Sequence, residues 1–257
     1  MRITLCPVVA PRSGVALAAG LMVALTAAPA APQAATDADT AERAPFVGCA
    51  SDGQMGPQPP PDDQGEAPPL PPPLARRLAY YKSQDLDVLA PRGWHCLGLY
   101  GATGAALLVT PQAYRPGDLL KPEFRIKGPA VQLSVSYGDT AGRFEAALVA
   151  ARLFPTKQDY VQAVIGEGVV PAADFKLGPY PADILIRRDD ADVEFITPAN
   201  QAGMGTRGRL ARAAGPIKGV AIMTNNNDLV TLAARLPADQ DDLLPVMIAQ
   251  TRMVATE

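Results

Sequence analysis

LAPRGWHCLGLYGATGAALLVTP, residues Leu89–Pro111, is the stretch that carries the clearest information about the fold of this chain. Two apolar runs flank its glycine-bearing segment 101–104, and such a pattern is typical of a β-hairpin. The first run is preceded by Trp94, His95 and Cys96, which include the only tryptophan and the only histidine of the chain. We therefore expect this hairpin to hold either a structural cross-link or a reactive group.

Apolar periodicity predicts further strands and helices on both sides of the hairpin. Residues 130–137 alternate apolar and polar side chains, which indicates a half-buried strand. The other predicted strands are Ala182–Arg188 with Asp192–Thr197 and Gly219–Thr224 with Leu229–Leu236, and the predicted helices are Leu74–Gln84, 142–154, Thr156–Ile165 and Asp239–Val254. Hairpins with helices between and after them predict an α+β fold with a mainly antiparallel sheet and helices packed on it. Crossover helices between successive parallel strands are largely missing from the pattern, which disfavours a Rossmann-like arrangement.

The N-terminal residues 1–30 have the three-part pattern of a secretory signal peptide. Two arginines precede the uninterrupted apolar and small-residue run Val15–Thr26, and Ala28-Pro29-Ala30 follows as a cleavage site near Ala30. The apolar run is shorter than the roughly 20 residues that a membrane-spanning helix needs. We therefore expect an exported product, periplasmic or extracellular, without a transmembrane segment in the mature chain.

Removal of this peptide changes the charge and the cysteine count. The net charge goes from −3 to −5, because residues 1–30 hold two arginines and no acid. A mildly acidic exported chain lacks the basic face that nucleic acid requires, so a nucleic-acid partner is not expected. Cys6 is removed, and Cys49 and Cys96 remain. In an oxidising compartment they are predicted to form one disulfide, with a reactive Cys96 thiol beside His95 as the alternative.

Residues 31–73 are predicted to be a disordered and proline-rich segment. Its first part, 31–45, is rich in Ala, Thr and Asp without an apolar period, and Gly56–Pro73 is dominated by proline, which favours extended or polyproline II backbone. A bond between Cys49 and Cys96 would partly tether this segment to the α+β domain predicted for residues 74–257.

The arginine-rich loop after the predicted strand Asp192–Thr197 contains a glycine motif. Residues 203–208 fit G-x-G-x-x-G, but the segment that follows is too short for the helix of a dinucleotide site, so no cofactor is expected. Arg207, Arg209 and Arg212 with exposed backbone N–H groups could instead bind an anion. The alternative is a solvated flexible loop. No metal site is expected, since one histidine and two paired cysteines cannot form a zinc tetrad.

The aromatic residues near the hairpin allow two interpretations. Trp94 and Tyr100 either supply bulk to an alanine-rich core or line a pocket for a small exported ligand. His95 is the sole imidazole and hence the one candidate for a histidine general base, but no G-x-S-x-G nucleophile motif accompanies it. Carboxylate chemistry stays open, because one sequence does not show which acids meet in space.

The phrase Val88–Cys96, VLAPRGWHC, followed by Gly98–Gly101, resembles a motif of uncharacterised exported bacterial proteins. Those proteins also carry a Phe-x-Gly-Cys-x-Ser-Asp-Gly-Gln type of segment, which Phe46–Gln54 matches here. The resemblance covers about Phe46–Pro111. It implies export and pairing of Cys49 with Cys96, and it implies no activity.

Together these features predict an exported, non-catalytic binding or envelope-associated protein. The partner is unknown, and a small ligand or an envelope component would fit. The alternative is an exported hydrolase that uses carboxylates or His95.

Overall fold

The computed structural model describes residues 41–62 and 67–255. The predicted signal peptide 1–30 and residues 31–40 of the predicted disordered segment lie outside this described part. None of the helices within it is long and apolar enough to cross a membrane.

The described residues form thirteen strands and five α-helices. The strands are β1 (Glu42–Arg43), β2 (Phe46–Gly48), β3 (Ser51–Gly53), β4 (Pro69–Leu70), β5 (Leu78–Lys82), β6 (Asp87–Pro91), β7 (His95–Gly101), β8 (Gly104–Thr110), β9 (Ala130–Ser136), β10 (Ile184–Arg187), β11 (Asp192–Thr197), β12 (Ile217–Met223) and β13 (Leu229–Arg235). The helices are α1 (Pro72–Ala75), α2 (Pro116–Leu119), α3 (Arg143–Leu153), α4 (Gln158–Gly166) and α5 (Leu244–Ala255).

Eight strands form the main sheet, in the order β10-β11-β12-β13-β9-β8-β7-β3. All neighbouring strands in it are antiparallel except β3, which runs parallel to β7. A second sheet has the order β2-β5-β6, and β1 pairs with β4 in a third. The predicted α+β fold with a mainly antiparallel sheet is confirmed, including the hairpin of β7 and β8 around residues 101–104.

The main sheet separates two apolar cores, because successive side chains of a strand point to opposite faces. We call the face that packs against β5, β6 and α5 the front face, and it includes Leu107 and Val131. The back face packs against α3 and α4 and includes Leu108 and Phe195. The predicted alternation of residues 130–137 is confirmed, since Val131 and Leu133 belong to the front core and Ala130 to the back core.

One short segment links the main sheet to the small one. β2 runs parallel to β5 in the small sheet, and β3 runs parallel to β7 in the main sheet only three residues later. Cys49 lies between these two strands and is bonded to Cys96 of β7, with 5.4 Å between their Cα atoms. The predicted disulfide is therefore present, and it fixes the point at which the chain passes from one sheet to the other.

The helix predicted over Leu74–Gln84 is wrong. The helix α1 ends at Ala75, and Leu78–Lys82 forms strand β5. Leu78, Ala79, Tyr80 and Tyr81 are all at most 3% exposed. A strand that is covered on both faces has a continuous apolar run instead of alternating apolar and polar residues. The periodicity of such a short run does not distinguish a strand from a buried helix.

The structure also differs from the predicted disorder over 41–62 and 67–73. These residues contain β1 to β4, and polar contacts hold the loop after β3 in place. The Tyr100 hydroxyl donates to Gly56 O at 2.6 Å, and Ala102 N donates to Gln54 Oε1 at 3.0 Å. Proline lacks an N–H but keeps its carbonyl, and Gln84 Nε2 donates to that of Pro59. Composition alone does not reveal such partners from distant strands.

A buried hydroxyl orients the turn that leads into β7. Tyr81 is fully buried, and its hydroxyl donates to Pro91 O at 2.8 Å and accepts from Trp94 N at 3.0 Å. Between these two residues Gly93 has φ of 85°, a conformation that favours glycine. Tyr81 thus joins the end of β6 to the start of β7, the position from which Cys96 reaches Cys49.

Replacing both cysteines, C49S/C96S, should lower the free energy of unfolding by about 4 kcal/mol, because the disulfide closes a loop of 47 residues in the unfolded chain. Urea unfolding without reductant measures the change. Wild-type protein in excess reductant serves as the matched control and should unfold like the variant. An unchanged midpoint in both samples would contradict a stabilising disulfide.

Tyr81→Phe should lower the free energy of unfolding by about 1–3 kcal/mol, since it leaves a buried N–H and a buried carbonyl without their partner. The control is Tyr114→Phe, because the Tyr114 hydroxyl makes one exposed contact of 3.5 Å to Gln112 Oε1. Thermal or urea unfolding compares the two variants, and equal effects would show that the Tyr81 hydroxyl has no special role.

Candidate functional site

A cavity formed by the described residues opens on the front face of the main sheet. Its volume is about 770 Å³. Three side chains from adjacent strands form its floor, because Val135 of β9 lies opposite Val230 of β13, which is next to Ile222 of β12. We call this cavity the front cleft. It has the size of common small-molecule sites, which measure about 300–1,000 Å³.

The walls of the front cleft come from elements that cover only part of the floor. Helix α5 crosses the front face, and its last turn contributes Thr251, Val254 and Ala255 to one wall. Leu86, in the turn between β5 and β6, contributes to the wall as well. The exposed surface of the cleft lining is predominantly apolar. The cleft is the part of the front face that α5 and the small sheet leave uncovered.

Carboxylates surround this apolar floor. Asp85 comes from the β5–β6 turn, Asp189 from the β10–β11 hairpin and Asp228 from the β12–β13 hairpin. Asp228 also has a structural role, since its Oδ1 accepts a 2.6 Å hydrogen bond from Gly138 N. Asp85 is exposed and makes no side-chain hydrogen bond within the described part of the chain. Three acids at an apolar opening favour a positively charged group.

A fourth acid of the cleft is neutralised. Asp192 of β11 lies opposite Ile222 and so extends the row of floor residues by one strand. Its carboxylate accepts hydrogen bonds from the guanidinium of Arg252 of α5 at 2.5 and 3.0 Å. The same guanidinium donates to Glu194 at 2.8 Å. Burial acts to raise the pKa of Glu194, but hydrogen bonds from Arg252 and Arg188 outweigh it and lower this pKa. This ion cluster attaches the end of α5 to β11 and so holds one wall in position.

Tyr137 adds a phenol to the lining of the cleft. Burial raises the pKa of Tyr137, and the nearby charges of Asp85 and Asp228 raise it further. The phenol therefore keeps its proton over the whole physiological range and remains a hydrogen-bond donor.

The chain matches no protein-family model, no curated protein and no solved structure. The basis for a function is therefore the geometry and charge of the sites themselves.

Trp94 and His95 line a different, smaller cavity of about 290 Å³ beside the disulfide. Trp94 packs against the front core, while His95 is exposed. Alternation along β7 explains this, since His95 points away from its neighbours Trp94 and Cys96. The imidazole makes no hydrogen bond to a carboxylate or hydroxyl of the described residues, so these residues do not assemble a His-based catalytic triad in this conformation.

The three arginines of the predicted anion-binding loop have separate environments. Arg207 donates to both carboxylate oxygens of Glu145 at 2.8 and 2.5 Å and to the Tyr180 hydroxyl at 2.9 Å. Arg209 donates to Lys121 O at 2.9 Å. Arg212 is exposed. Glu145 already balances the charge of Arg207, which weakens the case for an anion at this loop.

The loop itself is packed rather than solvated. Met204, Gly205 and Leu210 are buried, and Arg209 N donates to the amide oxygen of Gln132 at 2.7 Å. Arg207 lines a cavity of about 240 Å³ on the back face, together with the hydroxyl-bearing residues Ser134, Ser136 and Thr231.

The remaining predicted residue, Tyr100, uses its hydroxyl to hold the loop after β3 and lies outside the three cavities. Within the described ranges, His, Cys, Asp and Glu side chains form no group of three that could hold a metal ion.

The residues of the front cleft were missed by sequence reasoning. Its floor belongs to three strands, and their register becomes visible only in the folded sheet. One signal in the sequence could have pointed to the cleft, namely the acids in the turns after β5, β10 and β12. The turns after β10 and β12 lie at the same end of the main sheet.

Glu194→Gln should reduce stability at neutral pH and lose this effect in acid. The pKa of Glu194 in the folded protein is below its unfolded value of about 4.3, so the contact with Arg252 stabilises fully above about pH 4.3. The contribution is lost as the pH falls through the lowered folded pKa. Urea unfolding at pH 7 and pH 3 should show a larger difference in stability between the two proteins at pH 7 than at pH 3.

Glu123→Gln is the matched control, since Glu123 is exposed and takes no part in the ion cluster of Arg252 with Asp192 and Glu194. It should follow the wild type at both pH values. A Glu194→Gln variant as stable as the wild type at pH 7 would contradict the role of the ion cluster.

Proposed function

We propose that this protein is an exported, non-catalytic binding protein whose front cleft holds a small ligand with an apolar body and a positively charged amine. The proposal is carried by one observation, the apolar floor of Val135, Val230 and Ile222 beneath three acids that form no ion pair with Arg252, the one cation of the lining.

The apolar part of such a ligand would be desolvated on the floor. Burying apolar surface is favourable by about 25 cal/mol per Å², so even a short alkyl or aromatic group gains several kcal/mol before the entropic cost of binding. The floor residues lie within paired strands of the main sheet, so the surface exists before the ligand arrives.

The charged part of the ligand would lie at the rim. Asp85, Asp189 and Asp228 come from three different turns and face one opening. The one cation of the lining, Arg252, is already engaged by Asp192 and Glu194. The rim therefore attracts an ammonium group and repels a carboxylate.

A binding role is favoured over hydrolysis by His95 because of the surroundings of that residue. The imidazole is exposed in a cavity separate from the front cleft, and its side chain has no carboxylate partner among residues 41–62 and 67–255. Export is supported by the signal-peptide pattern of residues 1–30 and is compatible with the Cys49–Cys96 disulfide, because such bonds persist in oxidising compartments.

Isothermal titration with octylamine, octanol and octanoate tests this function. Octylamine, protonated at neutral pH, should bind most tightly and octanoate least. Asp85→Asn should weaken octylamine binding by about two- to fivefold, the range expected for one exposed charge pair. Asp174→Asn removes an exposed acid that does not line the cleft and should leave binding unchanged.

A second variant tests the floor independently of charge. Val230→Trp places an indole across the floor and should abolish binding of both octylamine and octanol, while circular dichroism checks that the sheet is retained. Equal affinities for octylamine and octanoate, or undiminished binding to Val230→Trp, would overturn the proposal.

A further inference from the structure

The main sheet ends at a strand that nothing in the described part of the chain covers. Strand β10 pairs with β11 on one side only, and three of its four residues are exposed. On the front face it presents Ile184 at 57% and Ile186 at 45% exposure. Two neighbouring isoleucines on an open edge are unusual, since edge strands are normally protected by charge, proline or short length.

The free side of β10 also has unpaired backbone groups. Arg188 N donates to Asp192 O, so residue 188 faces β11. The backbone N–H and C=O groups of successive residues in an antiparallel strand point alternately to one side and the other. Ile184 and Ile186 therefore also form hydrogen bonds with β11, and Leu185 and Arg187 direct their N–H and C=O groups toward the free side. These groups are available to another strand.

We propose that β10 pairs antiparallel with β10 of a second copy of this chain, centred on Leu185, so that the two main sheets become one continuous sheet. A second copy fits this edge because the strand is complementary to itself. With Leu185 opposite Leu185 of the second copy, Ile184 lies opposite Ile186 and Asp183 lies opposite Arg187.

The backbone and the isoleucines both favour this register. The two Leu185 residues exchange both backbone hydrogen bonds, and Arg187 N–H of each copy donates to the carbonyl of Asp183 in the other. Ile184 and Ile186 of the second copy form non-hydrogen-bonded pairs, in which side chains approach most closely. Four exposed isoleucines thereby cover one another on the front face. On the back, the Asp183 carboxylate is turned toward β11 and accepts from Thr197 Oγ1 and Met204 N, so the pairing does not depend on its charge.

The neighbouring antiparallel register is less favourable. With Ile186 opposite itself, Ile184 of each copy would face Arg188 of the other. Both pairs of Ile184 with Ile186 would then be lost, and with them the apolar cross-strand contact. The positions of the two isoleucines thus select the register centred on Leu185.

A cross-linking experiment with two single-cysteine variants tests the register. Ile184→Cys and Ile186→Cys replace exposed side chains, so the fold is retained, and the native cysteines stay bonded to each other. After mild oxidation, neither variant alone should give a disulfide-linked dimer, whereas an equal mixture of the two should. Non-reducing electrophoresis and intact mass measure the product.

The matched control mixes Ile184→Cys with Val169→Cys, since Val169 is 65% exposed and lies outside β10. This mixture should give no cross-link above background. Cross-linking of Ile186→Cys with itself would overturn the proposed register.

Sedimentation velocity tests the association itself. The wild type should sediment as a dimer that dissociates on dilution, and I184K/I186K should be monomeric with unchanged circular dichroism. V169K/L177K, with two equally exposed apolar residues replaced elsewhere, should remain dimeric. A wild-type chain that stays monomeric at every concentration, or an I184K/I186K variant that dimerises like the wild type, would overturn the proposal.

Discussion

The passage of the chain from β2 to β3, closed by the Cys49–Cys96 bond, is the constraint on which the arrangement of the two sheets depends. β2 belongs to the small sheet and β3 to the main sheet, with Cys49 and Ala50 as the only residues between them. Cys49 is 1% exposed and its N–H donates to Lys82 O at 2.7 Å, so it is held by the small sheet while its sulfur is held by β7. The small sheet therefore stays on the front face, and the front core forms between the two sheets.

The front cleft is a consequence of how far this covering layer extends. The small sheet and α5 bury Leu107, Val131 and Leu232, while the ends of β9, β12 and β13 project beyond them. The ion cluster of Arg252 with Asp192 and Glu194 attaches the last turn of α5 to β11 beside this end of the sheet. An apolar floor, a fixed wall and an acidic rim thus arise from one helix that crosses the sheet without covering it.

Local patterns predicted those parts of the fold that depend on neighbours in sequence. The hairpins of β7–β8 and β12–β13 were visible because strand, turn and strand are contiguous, and the disulfide followed from the two cysteines left after the first 30 residues. Parallel partners were not visible. Nothing in the sequence of β2 indicates β5 as its neighbour, and burial on both faces removed the alternation that would have identified β5. The cleft was missed for the same reason, since Val135, Val230 and Ile222 meet only through strand register.

The two parallel strands also determine how local the contacts of the fold are. β2 and β3 precede their partners β5 and β7 in the chain, and Cys49 is separated from Cys96 by 47 residues. The hairpin of β7 and β8 needs only adjacent residues, whereas docking of the N-terminal segment joins residues far apart in sequence, and such contacts slow folding. The disulfide makes one of these distant contacts covalent. While it is intact, an unfolded chain does not have to bring the N-terminal segment back to β7 by diffusion.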